Sequence, residues 1–301
     1  MTDLATALTG AAARGELFAH FQPQLDPETD RIVGAEALAR WDHPGLGLVP
    51  PLDFITVAEQ TGLIDEVGEA MVELGCAFAA RIAGSGIQVA INVSALQLAD
   101  ATFADRFAAI AERHGVPLGE LTVEITESHP VDAVPGAVEQ LVRLRDGGAG
   151  IALDDFGTGY SSFKQLESLP FTELKMDQSL IRDDTDETWN RVGTLVVLAR
   201  HRGMRIVAEG IETLEQYERV RAAGCDRAQG YFLGMPMPAD EFVQFAAARV
   251  RTPLPRVAAP ARRALAAAGI RALEDLATWT RRDLLALPGI GARTADRLIG
   301  R

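Results

Sequence analysis

The chain reads as an α/β protein, a (β/α)8 barrel of the TIM type, followed by a small all-α C-terminal module. Three observations lead there: eight short β-rich runs mostly separated by amphipathic helical patterns, polar residues aimed inward at the ends of those runs, and a charge reversal near residue 250. The strand runs cover 18–25, 31–41, 87–93, 121–126, 150–154, 172–176, 205–209 and 227–231. Helical patterns fill 52–83, 103–114, 134–145, 190–202 and 214–223. A doubly wound open sheet is the alternative. It calls for a glycine-rich phosphate turn after an early strand, and none is present.

Side-chain alternation sets the inward face of each strand. In Val89-Ala90-Ile91-Asn92-Val93 the branched residues share one face and Ala90 and Asn92 the other. Val123 and Ile125 oppose Thr122, Glu124 and Thr126, and Ile151 and Leu153 oppose Ala152 and Asp154. With the branched face under the helices, Asn92, Glu124, Asp154, Lys175, Glu209 and Gln229 point inward at the C-terminal rim, where barrel active sites are built. In Arg205–Glu209 the alternation is weaker, and position alone argues for Glu209.

The chain has 301 residues, 48% of them apolar and 24% charged, with a net charge of −13, the mix of a soluble globular protein. No uncharged apolar run approaches the roughly 18–20 residues that span a bilayer, and Met1-Thr2-Asp3 does not open a secretory signal. Cys76 and Cys225 are the only cysteines, which excludes a disulfide framework and points to the cytoplasm. Without a CxxC, and with five scattered histidines, the sequence offers no zinc cluster. Its carboxylates suit a hard, oxygen-ligated metal.

A rim carrying Glu36, Asn92, Glu124, Asp154-Asp155, Lys175, Glu209 and Gln229 needs a physical explanation. Five ionised carboxylates cannot be buried unpaired, because each costs several kcal/mol. Rim salt bridges to arginine would explain any single one; the whole set at strand ends calls for a pair of divalent cations, Mg²⁺ or Mn²⁺. Asp154-Asp155, where the chain leaves its strand, is placed to bridge two ions that clamp the oxygens of a phosphodiester displacement. Lys175 adds a fixed positive charge.

The motifs resemble those of the EAL-domain cyclic-di-GMP phosphodiesterases. The resemblance runs through Glu36-Ala37-Leu38-Ala39-Arg40-Trp41, Ala58–Ile64, Ile91–Ser94, Glu124–Ser128, Asp154–Ser162, Leu174–Asp177, Ala208–Glu212 and Gln229-Gly230-Tyr231. It spans about residues 15–247. It implies a homodimeric barrel enzyme that hydrolyses one phosphodiester of cyclic-di-GMP to linear pGpG with Mg²⁺ or Mn²⁺. By position it assigns Glu36, Asn92, Glu124 and Asp154 to one ion. Asp154, Asp155 and Glu209, with waters placed partly by Gln229, serve the second. Lys175 orients or activates the attacking water and Glu209 is the commonly proposed base; both assignments stay open. Gln22, Leu38 and Arg40 match substrate-contacting positions, Arg40 through its bidentate fork. Glu127 matches the residue that steadies the Phe156-Gly157-Thr158-Gly159 loop, a loop that otherwise reads as a plain tight turn. Glu212 reads either as support behind the site or as an acid at a helix N-terminus. Leu96 stands where the family often carries a basic residue, which bears on substrate affinity. Ca²⁺ is expected to inhibit, because its flexible coordination loosens the in-line geometry.

Residues 251–301 carry ten arginines against four acids, a net charge of +6, while the remainder holds −19. The boundaries follow: a barrel over 1–250, a proline-containing linker over 251–260 and a module over 261–301. Leu287-Pro288-Gly289-Ile290-Gly291 resembles the hairpin of helix–hairpin–helix modules, with Gly289, Gly291 and Arg293 as candidate phosphate contacts. The module is read either as a salt-sensitive DNA-binding unit or as a helical docking unit for a protein partner. Three functions remain open for the whole chain: a two-metal phosphodiesterase, a non-catalytic cyclic-di-GMP receptor signalling through the module, or a nucleotide-gated switch on DNA that acts through the module. Retention of Glu36, Asn92, Glu124, Asp154, Asp155, Lys175 and Glu209 favours turnover.

Overall fold

The computed structural model describes residues 3–126, 131–157, 169–183, 185–249 and 254–299. Its strands are β1 (Leu17–Asp26), β2 (Arg31–His43), β3 (Gly47–Val49), β4 (Gln88–Asn92), β5 (Leu121–Thr126), β6 (Gly150–Phe156), β7 (Glu173–Met176), β8 (Arg205–Ala208) and β9 (Arg227–Gln229). Eight of them close a ring in the order β1-β9-β8-β7-β6-β5-β4-β2 and back to β1, and β3 adds to the outer edge of β2. All eight strand runs expected from the sequence are present, within two residues at each end.

The ring departs from an all-parallel barrel at one strand. β1 runs antiparallel to both of its neighbours, β2 and β9. The cause is local: residues 27–30 are too few for a crossover helix, so β1 and β2 form a hairpin. Asp26 ties that turn by accepting from the Glu28 amide at 2.8 Å and the Thr29 hydroxyl at 2.8 Å. Asp30 takes a left-handed φ of 56°. Because β2 enters beside the start of β4, this turn lies at the N-terminal end of the barrel, away from the rim.

The helical pattern over 52–83 is two helices, α2 (Pro51–Thr61) and α3 (Ile64–Arg81). Gly62, at φ 77°, ends the first in the left-handed conformation that glycine takes most easily, and the apolar periodicity resumes after it. They follow a short α1 (Leu4–Leu8). Next come α4 (Phe103–Arg113), α5 (Ala137–Asp146), α6 (Gln178–Arg182), α7 (Asp186–His201), α8 (Leu214–Ala223) and α9 (Ala239–Ala248). α8 shows why its bounds were readable. Thr213 and Gln216 form a reciprocal capping box at its start, and Gly224 closes it at φ 83°.

The branched faces of the strands pack under the helices in one large core that includes Ile91, Val123, Ile125, Ile151 and Leu174. A second cluster, around Trp41 and Phe54, joins α1, α2 and β2, and the Trp41 indole donates to Glu16 at 3.1 Å. The C-terminal residues form α10 (Ala259–Ala267), a 3-10 turn over Leu273–Thr278, α11 (Arg281–Leu285) and α12 (Ala292–Ile299). They enclose a core of their own from Leu265, Ile270, Leu276, Leu284 and Leu298, among others. α10 starts at Ala259 and so takes in the last two residues of the expected linker. The module leans on the barrel through Arg271, whose guanidinium donates to Asp30 at 2.7 Å.

Candidate active site

The inward faces of the strands build two polar layers inside the ring. The lower one holds Gln24, Glu173 and Arg227, all buried. The upper one holds Glu36, Glu124, Asp154, Lys175 and Gln229, again buried, with Asn92 and Glu209 beside them. Period-two alternation puts each upper residue two positions above an inward neighbour of the same strand, as Lys175 stands over Glu173.

Lys175 is the centre of the upper layer. Its ammonium lies 2.7 Å from Glu124, 2.9 Å from Glu209, 3.1 Å from Asp154 and 3.6 Å from Glu36, and the side chain is 1% exposed. Burial works to lower its pKa, but the carboxylates of Asp154, Glu124, Glu209 and Glu36 overcome this and hold the ammonium charged. Five carboxylates (Glu36, Glu124, Asp154, Asp155 and Glu209) face this one cation. Burial drives Glu124, Glu209 and Asp154 upward, and only part of that rise is offset by Lys175. Asp155 is pushed to about 6 by burial and by its neighbours Asp154 and Asp177. Glu36 goes the other way. Burial is outweighed there by Lys175 and by hydrogen bonds from Asn92 at 2.8 Å and Gln229 at 2.6 Å.

With all five carboxylates ionised, Lys175 would leave four negative charges uncompensated, the charge that two divalent cations would neutralise. The donor atoms suit them. Oxygens of Glu36, Glu124 and Asp154 lie within 4.8 Å of one another, and so do oxygens of Asp154, Asp155 and Glu209. Asp154 belongs to both groups. Glu124 Oε1 is buried with no hydrogen-bond partner among the described residues, and a divalent cation would satisfy it. Asp155 can share the site because its φ of 58° turns the chain at the end of β6 and brings a second carboxylate to the mouth. A non-glycine residue in that region carries strain of about 1–3 kcal/mol, which marks a functional position.

Gln229 is oriented from below. Arg227 carries donors only, so the Gln24 carbonyl oxygen accepts from it at 3.0 Å. The Gln24 amide nitrogen then donates to Gln229 Oε1 at 3.0 Å. Gln229 Nε2 is left to donate to Gln22 at 3.1 Å and to Glu36 at 2.6 Å.

Above these groups opens a cleft of about 260 Å³ whose wall includes Gln22, Glu36, Asp155, Glu209, Glu212 and Tyr231. Leu38 and Arg40 continue the Glu36 face of β2 past the cleft wall, with the Arg40 guanidinium on the Ala39 carbonyl at 2.8 Å. Glu212 precedes the Thr213 cap of α8 and pairs with Arg182 at 2.6 Å, so it supports the wall of the cleft. Glu127 lies outside the described residues, as do Thr158 and Gly159 of the loop after Asp155. Leu96 is exposed on the 3-10 turn after β4, capped by Ser94. In the module, Gly289 takes a left-handed φ of 78° against Pro260, while Gly291 and Arg293 are exposed.

Besides Gly210 and Gly230, four cleft residues carry no assignment from sequence: Asp177, Gln178, Arg182 and Tyr231. Asp177 was visible as the last residue of Leu174-Lys175-Met176-Asp177; it caps α6 by accepting from the Ser179 amide at 2.9 Å and adds negative charge beside Asp155.

A family model described as the EAL domain matches residues 4–236. The chain belongs to the EAL domain family. A second model, a SAM-like helix-hairpin-helix tandem, matches residues 261–300. The EAL barrel is 36% identical over 235 residues to RocR of Pseudomonas aeruginosa, a cyclic di-GMP phosphodiesterase, covering 77% of this chain and 60% of RocR. It is 38% identical over 242 residues to the bifunctional diguanylate cyclase/cyclic di-GMP phosphodiesterase MucR of the same organism, covering 78% of this chain and 35% of MucR. The chain thus spans roughly a third to three fifths of these curated relatives. Among solved structures, the PaMucR phosphodiesterase in complex with c-di-GMP superposes with a TM-score of 0.72 at 37% identity, covering 79% of this chain and 99% of that one. An EAL domain protein of Listeria monocytogenes gives 0.72 at 28% identity, covering 82% and 99%. No helix among the described residues of the EAL chain is long and apolar enough to cross a membrane.

Proposed function

We propose that this EAL domain hydrolyses one phosphodiester of cyclic-di-GMP to linear pGpG with two Mg²⁺ or Mn²⁺ ions, acting as a homodimer in the cytoplasm. The observation that carries the reading is the pair of acidic groups sharing Asp154 around a buried Lys175. The relatives named for cyclic di-GMP hydrolysis and the neighbour solved with c-di-GMP support the substrate.

Glu36, Asn92, Glu124 and Asp154 would hold one ion, and Asp154, Asp155 and Glu209 the other. When bound, the ions supply Lewis-acid polarisation of a phosphoryl oxygen and lower the pKa of a coordinated water. The chain's own residues do the rest. Gln22, Leu38, Arg40 and Gln229 receive the dinucleotide, with the Arg40 fork on a phosphate. Lys175, encased by four carboxylates, holds a fixed positive charge beneath the reacting phosphate. Glu209 lines the cleft and Lys175 does not, so Glu209 is the group that reaches the attacking water and takes its proton. Ca²⁺ would bind the same oxygens and inhibit, because its 6–8 flexible ligands do not enforce the octahedral geometry of Mg²⁺. The hairpin at Gly289, Gly291 and Arg293 is assigned to a phosphate group of DNA or to a protein partner.

Purified protein incubated with cyclic-di-GMP and Mn²⁺, with products resolved by chromatography, tests the activity. Linear pGpG is expected, with Glu36→Ala and Lys175→Ala inactive yet folded by circular dichroism. Retention of intact cyclic-di-GMP by the wild type would replace hydrolysis with the receptor reading.

A further inference from the structure

Outside the active site, the molecule has a cavity of about 640 Å³ between the β1–β2 hairpin and the C-terminal module, against 260 Å³ for the cleft. It lies at the N-terminal end of the barrel, and four arginines line it. Arg31 comes from the start of β2, Arg256 and Arg262 from the segment leading into and through α10, and Arg271 from the turn after α10. Arg271 is neutralised by Asp30 at 2.7 Å and approached by Glu218 at 3.6 Å. Arg31, Arg256 and Arg262 are exposed to the cavity and form no ion pair among the described residues. Glu28 is the one acidic side chain on the wall among the described residues. Val257, Ala266 and Ile270 give it an apolar floor.

Arg256 and Arg262 belong to the segment that carries +6, and with Arg31 they set unpaired cations beside a barrel that carries −19. Guanidinium groups held around one space repel one another until an anion fills it. Their planar forks match phosphate oxygens in pairs. The volume falls within the roughly 300–1,000 Å³ of small-molecule sites, and a wall of apolar and cationic side chains suits a ring joined to a phosphate chain. The frame is fixed on both sides. Asp30 is held by Tyr217 at 2.7 Å as well as by Arg271, and the Arg256 carbonyl accepts from Arg297 of α12 at 2.8 Å.

We propose that the cavity between the hairpin and the module is a binding site for a nucleotide-sized phosphate ester, read by Arg31, Arg256 and Arg262. It is separate from the metal cleft and does not depend on hydrolysis. Its occupant bridges the two domains, and β2 runs from Arg31 at this cavity to Glu36 at the metal cleft.

Isothermal titration of the full chain with GTP tests the proposal, with Arg256→Ala/Arg262→Ala and Glu36→Ala as variants and a 12-base-pair DNA duplex as a second probe. One-to-one binding is expected, weakened tenfold or more in the double arginine variant and unchanged in Glu36→Ala. Thermal melts check that the arginine variant is folded; both side chains are exposed. Equal affinity in wild type and double variant would overturn the site, as would the absence of saturable heat. Loss of affinity in Glu36→Ala alone would move the ligand to the cleft and overturn it too. Duplex binding that needs the two arginines, with none for GTP, would assign them to a nucleic-acid backbone instead.

Discussion

The Gln24 amide nitrogen donates to Gln229 Oε1 at 3.0 Å, and this bond decides which end of the Gln229 amide faces the acidic cluster. With its oxygen engaged below, Gln229 presents nitrogen to Glu36 at 2.6 Å and adds to the pull of Lys175 and Asn92 that lowers the pKa of that carboxylate. The orientation originates two residues away, in Arg227, whose guanidinium can only donate. A group at the floor of the barrel thereby sets the donor geometry at its rim.

Gln24→Glu separates positioning from packing. A carboxylate there accepts from Arg227 and from Gln229, so the Gln229 amide must turn its oxygen toward Glu36. Hydrolysis is expected to fall about tenfold or more, corresponding to roughly 1–3 kcal/mol for a misdirected buried hydrogen bond. Thermal stability should hold, because the new charge pairs with Arg227. Steady-state kinetics with a melting curve check it; unchanged kinetics would remove Gln24 from the relay.

Metal-free stability should fall as pH rises. Burial raises Glu124, Glu209 and Asp154, and Asp155 from 3.8 to about 6. Between the unfolded and folded values the native protein binds protons that the unfolded chain has released. That contribution is complete below the unfolded pKa values and is lost as pH climbs through the folded ones. Glu36, Glu16, Asp100, Asp283 and Asp296, shifted downward, act oppositely but at lower pH, and His20, lowered by burial, is one group against the four raised carboxylates. Melts from pH 5 to 8 in chelator should therefore slope downward, and Mn²⁺ should raise the melting temperature most at pH 8. A melting temperature that climbs with pH in chelator would contradict the charge assignment.

Arg271→Ala should loosen the module from the barrel. The guanidinium is largely covered and bonded to Asp30, so its loss takes from that carboxylate its ion pair across the two domains, while the Tyr217 hydroxyl still donates to it. Charge-assisted hydrogen bonds of this kind contribute about 1.5–3 kcal/mol. Faster proteolytic cleavage within 251–258 is the expected readout, with the barrel fragment intact. Cleavage at the wild-type rate would show that other contacts hold the module.

Most of this architecture was legible before any coordinates. The eight strand runs and the inward residues Asn92, Glu124, Asp154 and Lys175 follow from period-two alternation between branched and small or polar residues, a local signal. Glu209 was harder, because β8 ends at Ala208 and the residue projects from the loop beyond it. The antiparallel course of β1 was written in the short Asp26–Asp30 connection, which leaves no room for a helix. The break at Gly62 was hidden by apolar periodicity on both sides of it. The relay from Arg227 to Gln229 and the Arg271–Asp30 contact were not readable: they join residues 203 to 241 positions apart, and nothing local encodes such pairings.

The central claim is that two acidic triads sharing Asp154 each hold a divalent cation. Anomalous diffraction from crystals grown with Mn²⁺ tests it most directly. Two peaks are predicted, one among Glu36, Glu124 and Asp154 and the other among Asp154, Asp155 and Glu209. A single peak, or none in the cleft, would contradict it.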